Sequence, residues 1–218
     1  LQQDDILKML ERRTYDVCAC TAPHVKVLFN GQLLQYKSFE KYVDLFLGCK
    51  RDTERLYIQS SHWEVVVATS NHGFKQVSFV NGISTSRGGS HVDYIVQGLL
   101  KKVLELTKQK DTHVKTQHFK EHLFVFIQCT CVNPSFSSQT KTECTSRYRD
   151  FVPFTAWDDP TTMKKVMKMQ FVQEALALAK HKQQRELGRS DGRKISTLRG
   201  IPKLEDANKA GTAHSKDC

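Results

Sequence analysis

The chain has 218 residues, of which 39% are hydrophobic and 26% are charged, which is enough for a globular fold with a proper core. Its longest apolar runs, such as residues 123–127, are far shorter than the roughly 20 residues of a membrane-spanning helix, so a membrane protein is not predicted. The net charge of +10 is compatible with a polyanionic partner, although a basic solvated surface explains it equally well.

The N-terminal part of the sequence predicts two helices on either side of a hairpin. Residues 4–17 are amphipathic, with acidic residues at the start and arginines later, as the helix macrodipole favours. Asn30-Gly31 between the β-rich runs 25–29 and 33–36 is a strong hairpin signal. Residues 39–47 then form a short amphipathic segment.

A strand-rich section follows a polar connection at residues 48–54. The runs 55–59 and 63–69 predict a second hairpin. Residues 76–80 predict a third strand, which Asn81-Gly82 ends.

A long helix is predicted to begin at Gly88-Gly89-Ser90. Ser90 is the expected N-cap, with Asp93 in the position of a capping-box acid. The helix is expected to dissolve at residues 108–111. Its inner stripe has spacings of three and four and consists of Val92, Ile95, Leu99, Val103 and Leu106. Because Gly88-Gly89 lacks the rest of either phosphate-loop pattern, a tight packing turn is favoured over a phosphate cradle.

The last third predicts a buried strand and a second long helix. Residues 123–132 are almost continuously apolar, which is typical of the middle of a sheet covered on both faces. A helix over residues 161–187 follows, and the chain beyond Gly188 is polar and basic. The order of elements predicts an α/β fold, a mixed sheet with long packed helices, in two pieces joined near residues 48–54.

The cysteines and histidines do not predict a metal site. The seven cysteines are irregularly spaced, and the Cys-x-Cys pairs at 18–20 and 129–131 differ from zinc knuckles. We therefore expect reduced core thiols and a cytosolic or nuclear protein. His118 and His122 lie four residues apart without a third ligand nearby. The sequence begins with Leu1 and no signal-peptide pattern, which suggests an internal part of a longer protein.

The loop at residues 133–141 is the most informative candidate site. It leaves the end of the predicted central strand, where α/β proteins tend to place ligand groups. Its hydroxyls, the Gln139 amide and the Lys141 ammonium suit the oxygens of a terminal phosphate. Taken alone, the same loop is more often a polar surface turn.

Three motifs in the correct order resemble eukaryotic-type DNA topoisomerase II. They are VSFVNGISTSRGGSHVDY at 77–94, NPSFSSQTK at 133–141 and PKLEDANKAG at 202–211. The resemblance includes Tyr15-Asp16 and the Asn30-Gly31 hairpin, and only residues 145–160 look loosely related.

The resemblance implies a domain plan and a nucleotide contact. Residues 1–47 would end a GHKL-type ATPase domain with its last helix and hairpin, and 48–187 would be a transducer like ribosomal protein S5 domain 2. Residues 188–218 would be a basic linker to a TOPRIM domain. The loop would reach the γ-phosphate of ATP through Gln139, Thr140 and Lys141. Loss of that phosphate would then free the loop and the long helix that follows it.

The resemblance also implies partners and a location. Lys108, Gln109, Lys110 and Lys115 would contact double-stranded DNA through its phosphates, although lysines at a helix end also suit the macrodipole. The parent enzyme would be an ATP-hydrolysing isomerase that acts as a homodimer, in the nucleus or an organelle and without a membrane partner. The motifs for ATP binding, magnesium binding and DNA cleavage lie outside this sequence, so Mg²⁺ would be bound elsewhere and this segment alone is expected to be catalytically incomplete.

Two alternative functions remain open from the sequence. One is the transducer of another GHKL ATPase, such as a mismatch-repair protein, but the motif at 202–211 favours the topoisomerase. The other is a non-enzymatic S5-like module that binds nucleic acid. That class is typically marked by aromatic residues or arginines across a sheet face, whereas this chain clusters lysines at a helix end.

Overall fold

The computed structural model describes residues 3–36, 38–49, 53–108 and 114–191. The helices within them are α1 (Gln3–Cys20), α2 (Phe39–Leu47), α3 (Ser90–Lys108), α4 (Thr116–Lys120), α5 (Pro160–Lys168) and α6 (Gln170–Asp191). The strands are β1 (Leu28–Phe29), β2 (Gln32–Leu33), β3 (Arg55–Gln59), β4 (Trp63–Thr69), β5 (Lys75–Val80), β6 (Ile83–Ser84), β7 (Gly88–Gly89), β8 (Leu123–Cys129) and β9 (Glu143–Cys144). None of these helices combines the length and the apolar character that crossing a membrane requires.

The chain divides into two compact units, residues 1–177 and residues 178–218. The first unit contains the sheet and the helices packed on it. Of the second unit, the structure describes only the C-terminal part of α6. The motif at 202–211 and the residues Gln109 and Lys110 lie outside the described residues.

A five-stranded mixed sheet with the order β3-β4-β8-β5-β6 forms the centre of the first unit. The strand β8 is antiparallel to β4 and parallel to β5, and Phe126 lies between Val66 and Val77. Neighbouring residues of β8, such as Val125 and Phe126, point to opposite faces and are both fully buried. This confirms the central, doubly covered strand, although it ends at Cys129 rather than at residue 132.

The two faces of the sheet are covered by different helices. On one face, Phe39 and Tyr42 of α2 pack in a buried cluster with Val66 and Phe126. Ser38 fixes the start of α2, because its side chain accepts a hydrogen bond from the Lys41 amide. On the other face, α3 packs through Tyr94, whose ring stacks on Trp63 with the centroids 5.8 Å apart.

The N-terminal hairpin has the predicted turn but shorter strands. Asn30 and Gly31 both adopt positive φ angles, 50° and 78°, as a two-residue hairpin turn requires. The paired strands are Leu28–Phe29 and Gln32–Leu33, and one further bond crosses the hairpin, from the Leu34 amide to the Val27 carbonyl oxygen at 3.0 Å. Near the end of α1, the buried Asp16 accepts a 2.6 Å hydrogen bond from the Tyr42 hydroxyl, which ties α1 to α2.

The helix α3 runs as predicted, with two differences. Leu99 and Val103 are fully buried, but Leu106 is 40% exposed, so the inner stripe ends one turn earlier. Ser90 is the first helical residue rather than the N-cap. Its hydroxyl donates to the Cys144 carbonyl oxygen at 3.3 Å because strand β9 lies beside the start of the helix.

The single helix predicted over residues 161–187 is wrong, because the chain forms two helices with a break at Met169. Met169 has φ −64° and ψ 147°, an extended conformation. The first amides of α6 find acceptors elsewhere: Gln170 donates to the Glu54 carboxylate at 2.7 Å and Phe171 to the Thr69 hydroxyl at 3.2 Å. These acceptors replace the helical carbonyls that a continuous helix would supply.

Candidate functional site

Residues 133–145 form a short hairpin that projects from the end of the central strand. The Ser137 amide donates to the Glu143 carbonyl oxygen at 3.1 Å, and the Thr145 amide donates to the Ser135 carbonyl oxygen at 2.8 Å. Phe136 forms an antiparallel bridge with Cys144. We call residues 133–145 the sensor hairpin.

The tip of the sensor hairpin brings the predicted phosphate-binding residues together. The Lys141 amide donates to the Ser138 carbonyl oxygen at 3.0 Å, which closes a four-residue turn with Gln139 and Thr140 at its centre. The Ser138 and Thr140 hydroxyls lie 2.8 Å apart. All four side chains are exposed, so hydroxyl, amide and ammonium groups are presented together to the solvent.

Lys141 is held only weakly in this structure. Its φ angle of 56° is in the left-handed region, and its ammonium nitrogen lies 5.7 Å from the centroid of the Phe136 ring. An exposed cation–π contact contributes about 0.5–1 kcal/mol, whereas hydrogen bonds to a charged group contribute about 1.5–3 kcal/mol. The ring contact is therefore too weak to keep this ammonium from an anion that offers it hydrogen bonds at the tip.

The exit strand of the sensor hairpin is anchored to the start of α3. Strand β7 pairs in parallel with β9, with Gly89 opposite Cys144, and the Arg87 amide donates to the Thr142 carbonyl oxygen at 3.0 Å. A Cβ atom on Gly89, whose φ is 127°, would lie 2.1 Å from the Cys144 carbonyl oxygen. Only glycine permits this approach, which confirms that Gly88-Gly89 is a packing turn.

A buried polar network lies behind that anchor. The Ser78 and Thr85 hydroxyls are 2.6 Å apart, and the Thr85 hydroxyl is 3.2 Å from Nε2 of His91. His91 is fully buried, and burial lowers its pKa to about 4. The ring is therefore neutral at physiological pH, which suits its place in the core beside the hairpin anchor.

The predicted DNA-contact residues are only partly within the described residues. Lys108 is the last residue of α3, and Lys115 is exposed immediately before α4. Of the lysines near them, Lys101 is exposed, whereas Lys102 forms a 2.8 Å ion pair with Asp158. Lys102 is therefore less available to an outside phosphate than Lys101.

Among the histidine and cysteine candidates, His122 faces a carboxylate and Cys129 and Cys131 are core thiols. His122 lies 3.3 Å from the Glu174 carboxylate. Cys129 and Cys131 are buried, and burial raises the pKa of both thiols, which keeps them protonated. Among the residues that the structure describes, no group of three or more His, Cys, Asp or Glu side chains is placed to hold a metal ion.

Asn81 supports the candidate site, although the sequence predicted for it only the end of a strand. Its side-chain amide donates to the Cys131 carbonyl oxygen at 2.8 Å, and its Oδ1 accepts from the Cys131 amide at 2.9 Å. Residue 131 is 50 positions away. No local pattern predicts a contact over that separation, whereas the Asn-Gly turn itself was visible.

Comparison with known proteins gives a consistent set of relatives. The family model described as DNA gyrase B matches residues 32–187. The chain is 40% identical to DNA topoisomerase 2 of Bombyx mori over 225 residues and 35% identical to that of Saccharomyces cerevisiae over 238 residues. Each alignment covers 99% of this chain but only 14% and 16% of the relative, so the chain spans about a seventh of the length of these proteins.

Solved structures agree with the sequence relatives. The ATPase region of Saccharomyces cerevisiae topoisomerase II superposes with a TM-score of 0.71 at 35% identity, covering 82% of this chain and 46% of that one. The ATPase and transducer domains of the Balamuthia mandrillaris enzyme give a TM-score of 0.76 at 32% identity, covering 84% and 46%. These matches confirm the expected fold class and favour the topoisomerase over the two alternatives left open by the sequence.

Proposed function

The chain belongs to the DNA gyrase B family, with relatives that are type II DNA topoisomerases, and on that premise we propose that it couples ATP hydrolysis to DNA strand passage in such an enzyme. The observation that carries the proposal is the sensor hairpin. It presents Gln139, Thr140 and Lys141 on an exposed turn and is hydrogen-bonded at its base to the start of α3.

We assign the domains of the parent enzyme to this chain as follows. Residues 1–47 end the ATPase domain, 48–187 form the transducer, and 188–218 lead towards the TOPRIM domain. The exposure of apolar side chains on α1 supports the assignment of this helix to a larger ATPase domain. Leu7 and Val17 are 53% and 51% exposed, and an apolar helix face of this kind is typical of a surface that packs against the rest of a domain.

The ligand that we propose for the sensor hairpin is the γ-phosphate of ATP. The exposed groups at the tip fit it, since they offer hydrogen-bond donors and one positive charge to phosphate oxygens. The adenosine and Mg²⁺ sites of the parent enzyme would be formed by residues outside this chain. ATP supplies the terminal phosphoryl group whose transfer to water drives the cycle.

Lys141 then acts as a reporter of the nucleotide state. Its ammonium leaves the Phe136 ring to neutralise the developing negative charge on the terminal phosphate, which stabilises the transition state for hydrolysis. After the phosphate departs, the ammonium loses its partner and the tip relaxes. Because the base of the hairpin is hydrogen-bonded to residues 87–90, the change is transmitted to α3.

We further propose that the parent enzyme binds double-stranded DNA, acts as a homodimer and is located in the nucleus. Lys108, Gln109, Lys110 and Lys115 are the proposed DNA contacts, through phosphates and independent of base sequence. In the sequence they run from Lys108, the last residue of α3, to Lys115, and the first turn of the same helix carries the hairpin anchor.

The test of the proposed function is Lys141→Ala in a full-length enzyme that contains this chain. We expect kcat for ATP hydrolysis to fall by about a hundredfold, because one stabilising charge is lost from the transition state. The Kd of a non-hydrolysable ATP analogue should change by less than about threefold, since the other nucleotide contacts remain.

Lys120→Ala is the matched control for that experiment. The Lys120 ammonium lies 5.0 Å from the centroid of the Phe74 ring, so the variant removes the same type of contact away from the sensor hairpin. Its turnover should equal that of the unmodified enzyme. An unchanged kcat in Lys141→Ala would refute the proposed role.

A further inference from the structure

We propose that Asn81 is a positioning residue that sets where Lys141 stands when the nucleotide is bound. The inference rests on the proposed γ-phosphate contact and adds a residue that does not itself touch the ligand. Its basis is the way in which the entry strand of the sensor hairpin is held.

The chain keeps sheet-like hydrogen bonds for two residues beyond the end of β8. The Asn81 amide donates to the Cys129 carbonyl oxygen at 2.9 Å, and the Thr130 amide donates to the His62 carbonyl oxygen at 2.8 Å. At Cys131 the Asn81 side chain takes over, donating to the carbonyl oxygen at 2.8 Å and accepting from the amide at 2.9 Å. The side-chain amide thus replaces the backbone of an additional strand residue.

Asn81 reaches Cys131 because its own backbone turns at that point. Its φ angle is 51° and that of Gly82 is 76°, so β5 ends in a tight turn and the Asn81 side chain projects past the end of the strand. Asparagine is one of the few residues that tolerate this backbone conformation and also carry both a donor and an acceptor. Neither alanine nor glycine supplies the two hydrogen bonds.

The chain that leads into the sensor hairpin and the exit strand of the hairpin are therefore held by one continuous segment, residues 81–90. Asn81 holds the chain at Cys131, two residues before the hairpin begins, and residues 87–90 hold the exit strand at Thr142 and Cys144. Two fixed points on one segment define the direction of the hairpin, and hence the position of the tip. With the Asn81 contact removed, the Cys131 backbone loses both of its hydrogen bonds to that segment. The contacts that remain nearby are the Cys131 thiol at 3.6 Å from the Asp150 carbonyl oxygen and the Ser135 amide bond to the Ser146 hydroxyl, and neither ties the chain to residues 81–90.

The test uses Asn81→Gly in the full-length enzyme, because glycine accepts the positive φ angle and removes only the side chain. We expect kcat for ATP hydrolysis to fall by about tenfold, since a small displacement of a catalytic group has a large effect on rate. The KM for ATP should change by less than about twofold. Asn81→Asp keeps the acceptor for the Cys131 amide but loses the donor, and should give an intermediate kcat.

Asn30→Gly is the matched control. Asn30 and Gly31 form the same type of turn, with φ angles of 50° and 78°, and the exposed Asn30 side chain makes no hydrogen bond to a described residue. This variant should keep the kcat of the unmodified enzyme. Loss of activity in both variants would show a general effect of the Asn-Gly turn and overturn the inference.

A double variant separates positioning from a general loss of structure. If Asn81 acts through Lys141, Asn81→Gly should produce no further loss of kcat in the Lys141→Ala background, because the group that it positions is already gone. Multiplicative losses would overturn the inference. A slow Lys141→Ala enzyme with a fully active Asn81→Gly enzyme would reject the positioning role alone, whereas a fully active Lys141→Ala enzyme would reject the proposed function itself.

Discussion

A neutral histidine buried next to the hairpin anchor makes the stability of this chain depend on pH. Burial lowers the pKa of His91 to about 4, whereas an unfolded histidine titrates near about 6.5. Between these values the unfolded chain binds a proton that the folded chain does not. The free energy of unfolding is therefore fully maintained above about pH 6.5 and decreases by about 3 kcal/mol as the pH falls towards 4.

His91→Gln should remove most of this pH dependence while keeping a polar partner for the Thr85 hydroxyl. The measurement is urea unfolding followed by tryptophan fluorescence between pH 5 and 7, since Trp63 and Trp157 are both buried. His72→Gln, at an exposed histidine, is the control. Its free energy of unfolding should depend on pH as steeply as that of the unmodified chain. If the free energy of unfolding of the His91→Gln variant depends on pH as steeply as that of the unmodified chain, other groups control the acid sensitivity.

The residues of the candidate site differ in how far the sequence alone revealed them. Gln139, Thr140 and Lys141 were found through the resemblance, because a polar loop with a lysine has no distinctive local physics. The structure adds the turn that groups them and the Phe136 ring that holds the lysine. Asn81 was not identified, because its function depends on Cys131, which only the folded sheet brings near.

At the scale of elements, local patterns predicted most helices and strands, and the main error came from distant partners. Residues 161–187 carry a continuous helical pattern, yet the chain breaks at Met169. The Glu54 carboxylate and the Thr69 hydroxyl supply the acceptors that allow a new helix to start there. Those residues are 116 and 102 positions away from the amides that they accept, so no window of local sequence contains them.

Glu54→Ala should therefore loosen the first turn of α6. Losing a carboxylate acceptor at a helix N-terminus costs about 1 kcal/mol, which corresponds to about fivefold faster opening of that turn. Hydrogen exchange of the amides of residues 170–173 measures the change directly. Glu11→Ala, at an exposed position within α1, should leave their exchange rates unaltered. Equal exchange rates in the Glu54→Ala and Glu11→Ala variants would show that Glu54 does not cap α6.

At the scale of the whole molecule, α3 is the element that joins the two proposed functions. Its first residue, Ser90, contacts the base of the sensor hairpin, and its last residue, Lys108, begins the proposed DNA contact. A helix of 19 residues is about 28 Å long. A rigid helix of that length transmits a displacement at one end to the other without changes within it, so nucleotide and DNA should influence each other in both directions.

Charge reversal after α3 should weaken the stimulation of ATP hydrolysis by DNA. In a full-length enzyme carrying Lys108→Glu, Lys110→Glu and Lys115→Glu, the DNA concentration for half-maximal stimulation should rise by at least tenfold. Its dependence on salt should also become less steep, because each lost phosphate contact reduces the slope of log affinity against log salt by about 1. Lys164→Glu with Lys165→Glu and Lys168→Glu provides the control, since these lysines are exposed on α5 and the charge change is the same. If the control weakens stimulation as much as the variant at Lys108, Lys110 and Lys115 does, the effect reflects the overall charge of the chain rather than a contact at the end of α3.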